Sequence, residues 1–422
     1  MNQSVMDAYV AILKEELVCA SGCTEPISIA YAAAYARDLL GKQPQRVDIG
    51  VSGNILKNVK GVVVPNSGGR KGIAAAVATG LVAGRTERLL EVIAQVEPGQ
   101  IEQIGRCLET VPIRVSCLPP ERAFDLLIEV FHGGERAAVR IVNHHTNVVY
   151  AAHNGETVMD RPFTDSPEEN LQDKGVLNFH DILEFADTVE LERVRDVLER
   201  QIACNSAIAQ AGLTRNYGAN IGKMLLESGA QDIANEARAY AAAGSDARMS
   251  GCELPVVILS GSGNQGMAAS LPVIRYAKHM HATWEQLCRA LIVADLIAIY
   301  QKAGVGRLSA FCGVVCAGCG AGAGVAYLCG GGRDMIAQTI QNTLAIAPGI
   351  ICDGAKSSCA AKIAVAVDAG LLGYRMCTHA RDFVSGDGIL QSDVDETIRC
   401  VGKIASEGMH KTDQVILDIM CP

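Results

Sequence analysis

From Ser309 to Gly332 the chain carries no charged side chain. That stretch is long enough to cross a membrane, yet it is built of glycine, alanine and cysteine where a lipid-facing helix would carry leucine and isoleucine. Small side chains let backbones approach closely, so the segment reads as tightly packed protein interior. Hydrophobic residues make up 49% of the 422 residues, enough for a large core and too many for a disordered chain. A formal charge of −9 and an aromatic content of 4% argue against nucleic acid, which asks for a basic face and stacking rings. A small molecule is the expected partner; a homo-oligomer is left open, the sequence carrying no signal for oligomeric state.

Sixteen cysteines in so long a chain do not suit a secreted disulfide scaffold. The start, Met1-Asn2-Gln3-Ser4-Val5-Met6-Asp7, has neither a basic run nor an apolar signal core, so a reducing cytoplasm is expected. Most of these cysteines then read as small buried hydrophobes.

The periodicity predicts an α+β fold: an N-terminal mixed α/β segment and a mainly helical C-terminal domain. Val5, Tyr9, Ile12, Leu13 and Leu17 mark one amphipathic helix, and Thr24-Glu25-Pro26 opens a second through about Leu40. Residues 1–42 thus read as a helical hairpin carrying Cys23 at a helix N-terminus, where a thiolate is favoured. Residues 43–165 read as an α+β domain, with strands at 45–52, 111–117, 124–131, 136–143 and 147–152. Residues 160–175 read as a linker, and 176–422 as the helical domain, its glycine-rich interruptions holding Cys312, Cys352 and Cys359.

These three cysteines sit among glycine, serine and aspartate, in Phe311-Cys312-Gly313 and Cys352-Asp353-Gly354-Ala355-Lys356-Ser357-Ser358-Cys359. Three thiolates on one iron–sulfur cluster leave one iron open as a Lewis acid, and a separate cysteine could serve as base. Together they suggest a lyase. Two other readings compete. Cys312, Cys316 and Cys319 match C-x3-C-x2-C, the spacing of radical S-adenosylmethionine enzymes, but Gly318 stands where that family favours an aromatic and too little chain follows for its barrel. Zinc would take any three or four cysteines, though paired C-x2-C knuckles are lacking. A non-catalytic cluster protein, such as a redox or iron sensor, would need no base.

Gly261-Ser262-Gly263-Asn264-Gln265-Gly266 matches G-x-G-x-x-G after a strand-like run. The acid expected about 20 residues on is Glu285, inside a helical pattern, which argues against a dinucleotide. The loop could present N–H groups to a carboxylate. Pro65-Asn66-Ser67-Gly68-Gly69 is a second such nest and Ser52-Gly53-Asn54 a weaker third. His144 and His145 lie in a strand pattern and read as structural. Lys356 and Lys362 lack a neighbouring phosphate cup for pyridoxal phosphate, and Lys362 reads as a helix-surface residue. Cys421, next to the last residue, could cap an open iron.

Ser21-Gly22-Cys23-Thr24-Glu25-Pro26, the 65–69 loop, the 261–266 loop and the widely spaced Cys312, Cys352 and Cys359 together resemble the L-cysteine desulfidase family. That group is similar to the α-domain of iron–sulfur L-serine dehydratases and includes the UPF0597 proteins. The resemblance covers nearly the whole chain. It implies an oxygen-sensitive [4Fe–4S] cluster with one open iron, held by Cys312, Cys352 and Cys359, with no pyridoxal phosphate. It also implies Cys23 as the catalytic base. Ser21, Asn66, Ser67, Gly68, Ser262, Gly263 and Asn264 are expected to bind substrate. The expected reaction is β-elimination of L-cysteine to pyruvate, ammonia and sulfide. The serine-rich, histidine-containing substrate loop of the serine dehydratases is not found, which favours cysteine over serine.

Overall fold

The computed structural model describes residues 1–21, 24–119, 122, 124–163, 172–306 and 309–420, the side chain of Ser21 excepted. Helices α1 (Gln3–Glu16) and α2 (Thr24–Leu40) flank a short strand, β1 (Cys19–Ser21). β2 (Arg46–Val51), α3 (Gly53–Val59), α4 (Gly72–Ala83) and α5 (Pro98–Thr110) follow. Then come β3 (Ile113–Cys117), β4 (Asp125–His132), β5 (Glu135–Val142), β6 (Val148–His153) and β7 (Glu156–Asp160). The remainder is helical apart from β8 (Pro255–Val257): α6 (Phe179–Thr188), α7 (Arg195–Thr214), α8 (Ile221–Ser228) and α9 (Ile233–Met249) precede that strand. After it run α10 (Gly263–His279), α11 (Trp284–Val305), α12 (Val314–Leu328), α13 (Arg333–Ile346), α14 (Cys359–Thr378), α15 (Val394–Lys403) and α16 (His410–Met420). The α+β reading holds, with the sheet in the first half and the helical body in the second.

The sheet has the order β3-β2-β4-β5-β6-β7, antiparallel except where β2 meets β3. The apolar positions of β2, β4 and β5 pack with the alanine-rich faces of α2 and α4 in one core. α2 buries Ala30, Ala32, Ala33, Ala34 and Ala36, so α4 can press Gly80 onto the Ala30 carbonyl, where a side chain would collide. Sequence periodicity misses β7, an edge strand whose side chains are mostly exposed and so carry no apolar alternation. His144 and His145 lie in the turn between β5 and β6 rather than in a strand; the His145 carbonyl accepts from Ser28 Oγ at 2.7 Å.

The hairpin expected over residues 1–42 is divided between two cores. Tyr9, Ile12 and Leu13 of α1 join the helical body, Tyr9 lying 5.2 Å from Phe185 ring to ring, whereas α2 belongs to the sheet's core. β1 makes the crossing by pairing antiparallel with β8, Cys19 opposite Val257. The physical reason is packing type: α1 offers large side chains that fit a helical core, α2 small ones that fit flat against a sheet. The span 176–422 likewise does not keep to itself. α16 returns to the first half, where Lys57 Nζ pairs with Asp413 at 2.6 Å and Lys60 Nζ reaches the Met420 carbonyl at 2.8 Å.

The uncharged 309–332 stretch forms the central helix of the helical body. Gly318 and Gly322 of α12 meet the Ala366 and Gly370 carbonyls of α14, and Gly320 and Gly324 meet the Ala294 and Ala290 carbonyls of α11. Glycines four apart stack on one face of a helix, so two such pairs offset by two give two flat faces. No described helix is long and apolar enough to cross a membrane. A Cβ at Gly322 would sit 2.5 Å from the Gly370 carbonyl oxygen. Gly322→Val is therefore expected to cost about 3 kcal/mol in urea unfolding, the scale of core overpacking. Val365→Ala, at a position 58% exposed on α14, is expected to stay within about 0.5 kcal/mol.

Candidate functional site

A short antiparallel crossing sets two of the three thiols side by side. Phe311 bridges Ile351, Cys312 N–H donates to the Ile350 carbonyl at 2.8 Å, and Cys352 N–H donates to the Ala310 carbonyl at 2.6 Å. Cys312 thus precedes α12 and Cys352 follows α13, yet they share one rung. The chain then turns at Gly354, whose φ of +95° is left-handed, and passes so close over the Lys57 carbonyl that no Cβ would fit. That turn delivers Cys359 to the first position of α14. Cys312, Cys352 and Cys359 are all free, and all three line one cavity of about 120 Å³.

The three thiols differ in charge. Cys352 is held down to about 6, first by a hydrogen bond from Cys312, against its burial, and further by the Gly354 N–H and the ammonium groups of Lys57 and Lys362. The same hydrogen bond pushes the Cys312 thiol well up, so Cys312 keeps its proton and Cys352 carries the charge. Burial raises Cys359. The wall around them is cationic: Lys57, Arg248, Lys302 and Lys362 against Glu25. Lys57 is 2% exposed. Lys362 is bound to Asp353 at 2.6 Å and to the Ile351 carbonyl at 2.8 Å, so it belongs to the cavity and not to the helix surface expected from sequence.

The opposite wall is the 259–265 turn. Two residues after β8 an isolated bridge joins Leu259 to Ser262, with Ser260 at φ +47° and Gly261 at φ +79°, and α10 starts at Gly263. Asn205 on α7 fixes this turn from beneath: its side chain accepts from Val257 N–H at 2.9 Å and donates to Ser270 Oγ at 3.0 Å. Asn264 and Gln265 are buried and aimed at the cavity, and Asn264 Oδ1 and Gln265 Oε1 have no hydrogen-bond partner. Gln265 lies directly against Gly313, where a Cβ would overlap it. Buried amide oxygens left unmatched are costly and call for a donor from outside the protein. Gly263 is required by its neighbour, since a Cβ there would lie 2.5 Å from Arg248 Nε. Thr24 and Glu25 reach the same place. Thr24 Oγ1 donates to the Gly261 carbonyl at 3.3 Å, and Glu25 accepts from Asn58 Nδ2 at 2.9 Å.

Of the residues expected from sequence, Cys312, Cys352, Cys359, Ser262 and Asn264 therefore line one cavity, with Gly263 beside it. Cys23 and Cys421 lie outside the described residues, as does the side chain of Ser21. Asn66, Ser67 and Gly68 do not line the cavity. Their side chains are satisfied within the protein: Asn66 Nδ2 donates to the Ile93 carbonyl at 2.8 Å, and Ser67 Oγ donates to the Val64 carbonyl at 2.7 Å and accepts from Arg70 N–H at 3.0 Å. Cys316 and Cys319, the partners needed by the radical-enzyme spacing, are buried in α12 away from the cavity, and burial pushes them up to about 11 and about 12. Sequence reasoning missed Arg248, Lys57, Lys302 and Gln265. Gln265 sits inside a motif already singled out, whereas Lys57 and Arg248 lie in ordinary helices and carry no local signal.

The thiol set suits a cluster better than a single ion. Zinc holds each sulfur at about 2.3 Å and so draws its ligands close together. Among the described residues only His180, Asp181 and Glu184 bring three ligand atoms within 4.8 Å of one another, and they form an acidic group on α6 far along the chain from the thiols. The sulfurs of the three cysteines do not all lie within that distance of one another, which suits a larger group whose separate irons each take one thiolate. In metal-free protein, alkylation of Cys352 by iodoacetamide is expected to rise with pH through a midpoint at about 6 to a plateau above it, because the thiolate is the nucleophile. Cys312→Ala removes the main hydrogen bond and should move that midpoint upward; peptide mass spectrometry across pH reads both.

Residues 87–418 match the family described as Serine dehydratase alpha chain. A UPF0597 protein of Desulfitobacterium hafniense is 53% identical over 412 residues, covering 98% of this chain and 96% of its own. UPF0597 proteins of Finegoldia magna and Treponema denticola are 47% and 41% identical, each covering at least 98% of this chain and 99% of its own length. With Cys312, Cys352 and Cys359 and helices α6 to α15 all inside the matched span, this chain belongs to the serine dehydratase alpha chain family and, within it, to the UPF0597 proteins.

Proposed function

We propose that the protein is a lyase that eliminates the β-substituent of a small L-amino acid without pyridoxal phosphate. L-Cysteine is the substrate we assign, with water converting it overall to pyruvate, ammonia and hydrogen sulfide. The observation that carries this reading is the convergence of three free thiols on one cavity whose opposite wall holds two buried, unpartnered amide oxygens. A sensor would need the thiols alone; polar groups waiting for a ligand favour catalysis.

Cys312, Cys352 and Cys359 would hold a [4Fe–4S] cluster. When bound, the cluster supplies an open, Lewis-acidic iron that polarises the bond from Cβ to the leaving sulfur. The chain's own side chains do the rest. Arg248, with Lys302, offers positive charge to the substrate carboxylate. Asn264 Oδ1 and Gln265 Oε1 accept from its ammonium group. Cys23 Sγ, as thiolate, takes the Cα proton. The hydrogen bond from Cys312, then the Gly354 N–H and the Lys57 and Lys362 ammonium groups, favour the ionised Cys352 against its burial. The product leaves as an enamine that tautomerises and hydrolyses in water. L-Serine, losing hydroxide as water, is the second reading; the matched family's name favours it. A cytoplasmic setting suits both, since free thiols need reducing conditions.

Cys23→Ala is expected to abolish pyruvate formation while the anaerobically reconstituted protein keeps its brown absorption. Loss of the colour in that variant would make Cys23 a ligand or a structural residue instead of the base. Gln265→Leu should lower kcat/KM for L-cysteine by about tenfold or more, the scale of a lost hydrogen bond to a charged group, with the absorption unchanged. Parallel assays on L-cysteine and L-serine decide between the two substrates.

A further inference from the structure

A second cavity of about 700 Å³ shares two wall residues, Ser260 and Lys302, with the thiol-lined one of about 120 Å³. The smaller is a tight fit for chemistry. The larger has the size of a ligand pocket, commonly about 300–1,000 Å³, and exceeds what a three-carbon amino acid fills. Ser260 and Lys302 form the wall that the two share. Ser260 holds a left-handed φ of +47°, a conformation that costs a non-glycine residue energy, and Lys302 is buried with its ammonium donating to the Gly306 carbonyl at the end of α11. The far wall is polar and charged. Lys174 is matched by Glu15 at 2.9 Å and Glu16 at 2.7 Å, and Tyr300 and the exposed Arg399 complete it.

We propose that the larger cavity is a vestibule through which the amino acid reaches the thiols, with Arg399 and then Lys302 drawing in its carboxylate. The proposal rests on the thiol-lined cavity being the reaction site, and it adds the route and the charge selection. The lining mixes signs, Glu16 and Asp173 standing with Lys174, but Lys174 is matched by its acids, which leaves Arg399 and Lys302 as the cations placed to orient a carboxylate. Ser260 serves both ends: it walls the vestibule and belongs to the turn that presents Asn264 and Gln265.

The test reads access, not turnover. Full-length protein freed of metal is treated anaerobically with iodoacetate, which carries a carboxylate, or with neutral iodoacetamide; in each case a thiolate displaces iodide. Labelling of Cys312, Cys352 and Cys359 is followed by mass spectrometry, with the exposed Cys117 as internal reference. Ala303 is exposed and lines the vestibule, so Ala303→Trp obstructs it without entering the core. This variant should slow labelling of the three cysteines by about tenfold or more, one decade in rate, while Cys117 is unchanged. Unchanged labelling with the tryptophan in place overturns the route. Arg399→Glu, also on the surface, should lower the iodoacetate-to-iodoacetamide rate ratio several-fold, and an unchanged ratio overturns the charge selection. Because alkylation needs no lyase chemistry, a protein that makes no pyruvate can still reveal the vestibule, and a working lyase can still refute it.

Discussion

Two backbone hydrogen bonds hold this site together. Cys312 N–H to Ile350 and Cys352 N–H to Ala310 join segments about forty residues apart and place two thiols where one can hydrogen-bond the other. The rest follows from that crossing. It requires α12 and α13 to run side by side, which fixes where α14 must start, and Cys359 is the first residue of α14. Helix starts carry unsatisfied N–H groups and a positive dipole end, so thiolates near α12 and α14 gain from their position as well as from nearby lysines.

The packing that permits the crossing is glycine against carbonyl. α12 is gripped on two faces, by α11 and α14, with glycine at each close approach. Such contact leaves little freedom for the helix to slide, so the thiol before it is well fixed. The cationic wall comes from elsewhere: Lys57 from α3, Arg248 from α9, Lys302 from α11 and Lys362 from α14. α16 secures the first of these through Asp413, and so ties the end of the chain to the cavity's edge. A buried ammonium is expensive alone, and its pairing with a carboxylate makes it tolerable.

Much of this was legible in the sequence where function shows locally. Cys312, Cys352 and Cys359 stood out because glycine, serine and aspartate surround them, and those residues mark turns rather than core. The same local reading flagged Ser262 and Asn264. It also flagged Asn66, Ser67 and Gly68, which resemble an anion nest, but Asn66 spends its amide on the Ile93 carbonyl and Ser67 its hydroxyl on its own loop. A turn that binds itself and a turn that binds a ligand share one sequence signature; only the partners separate them. Lys57 and Arg248 were invisible for the opposite reason: Lys57 owes its burial to Asp413 in α16, and Arg248 owes its place in the cavity to the packing of α9 against the Gly263 turn, neither of which leaves a local pattern. The division of α1 and α2 between two cores was likewise hidden, since periodicity reports an apolar face and not what covers it.

The central claim is that three thiols hold a cluster that drives elimination from a small amino acid. The direct measurement is anaerobic: reconstitute the full chain with iron and sulfide, measure bound iron and the visible absorption, and assay pyruvate and sulfide from L-cysteine. The account predicts a brown protein with about four irons per chain that forms both products. A colourless protein that binds no iron and forms neither would leave the three cysteines as structural residues and contradict it.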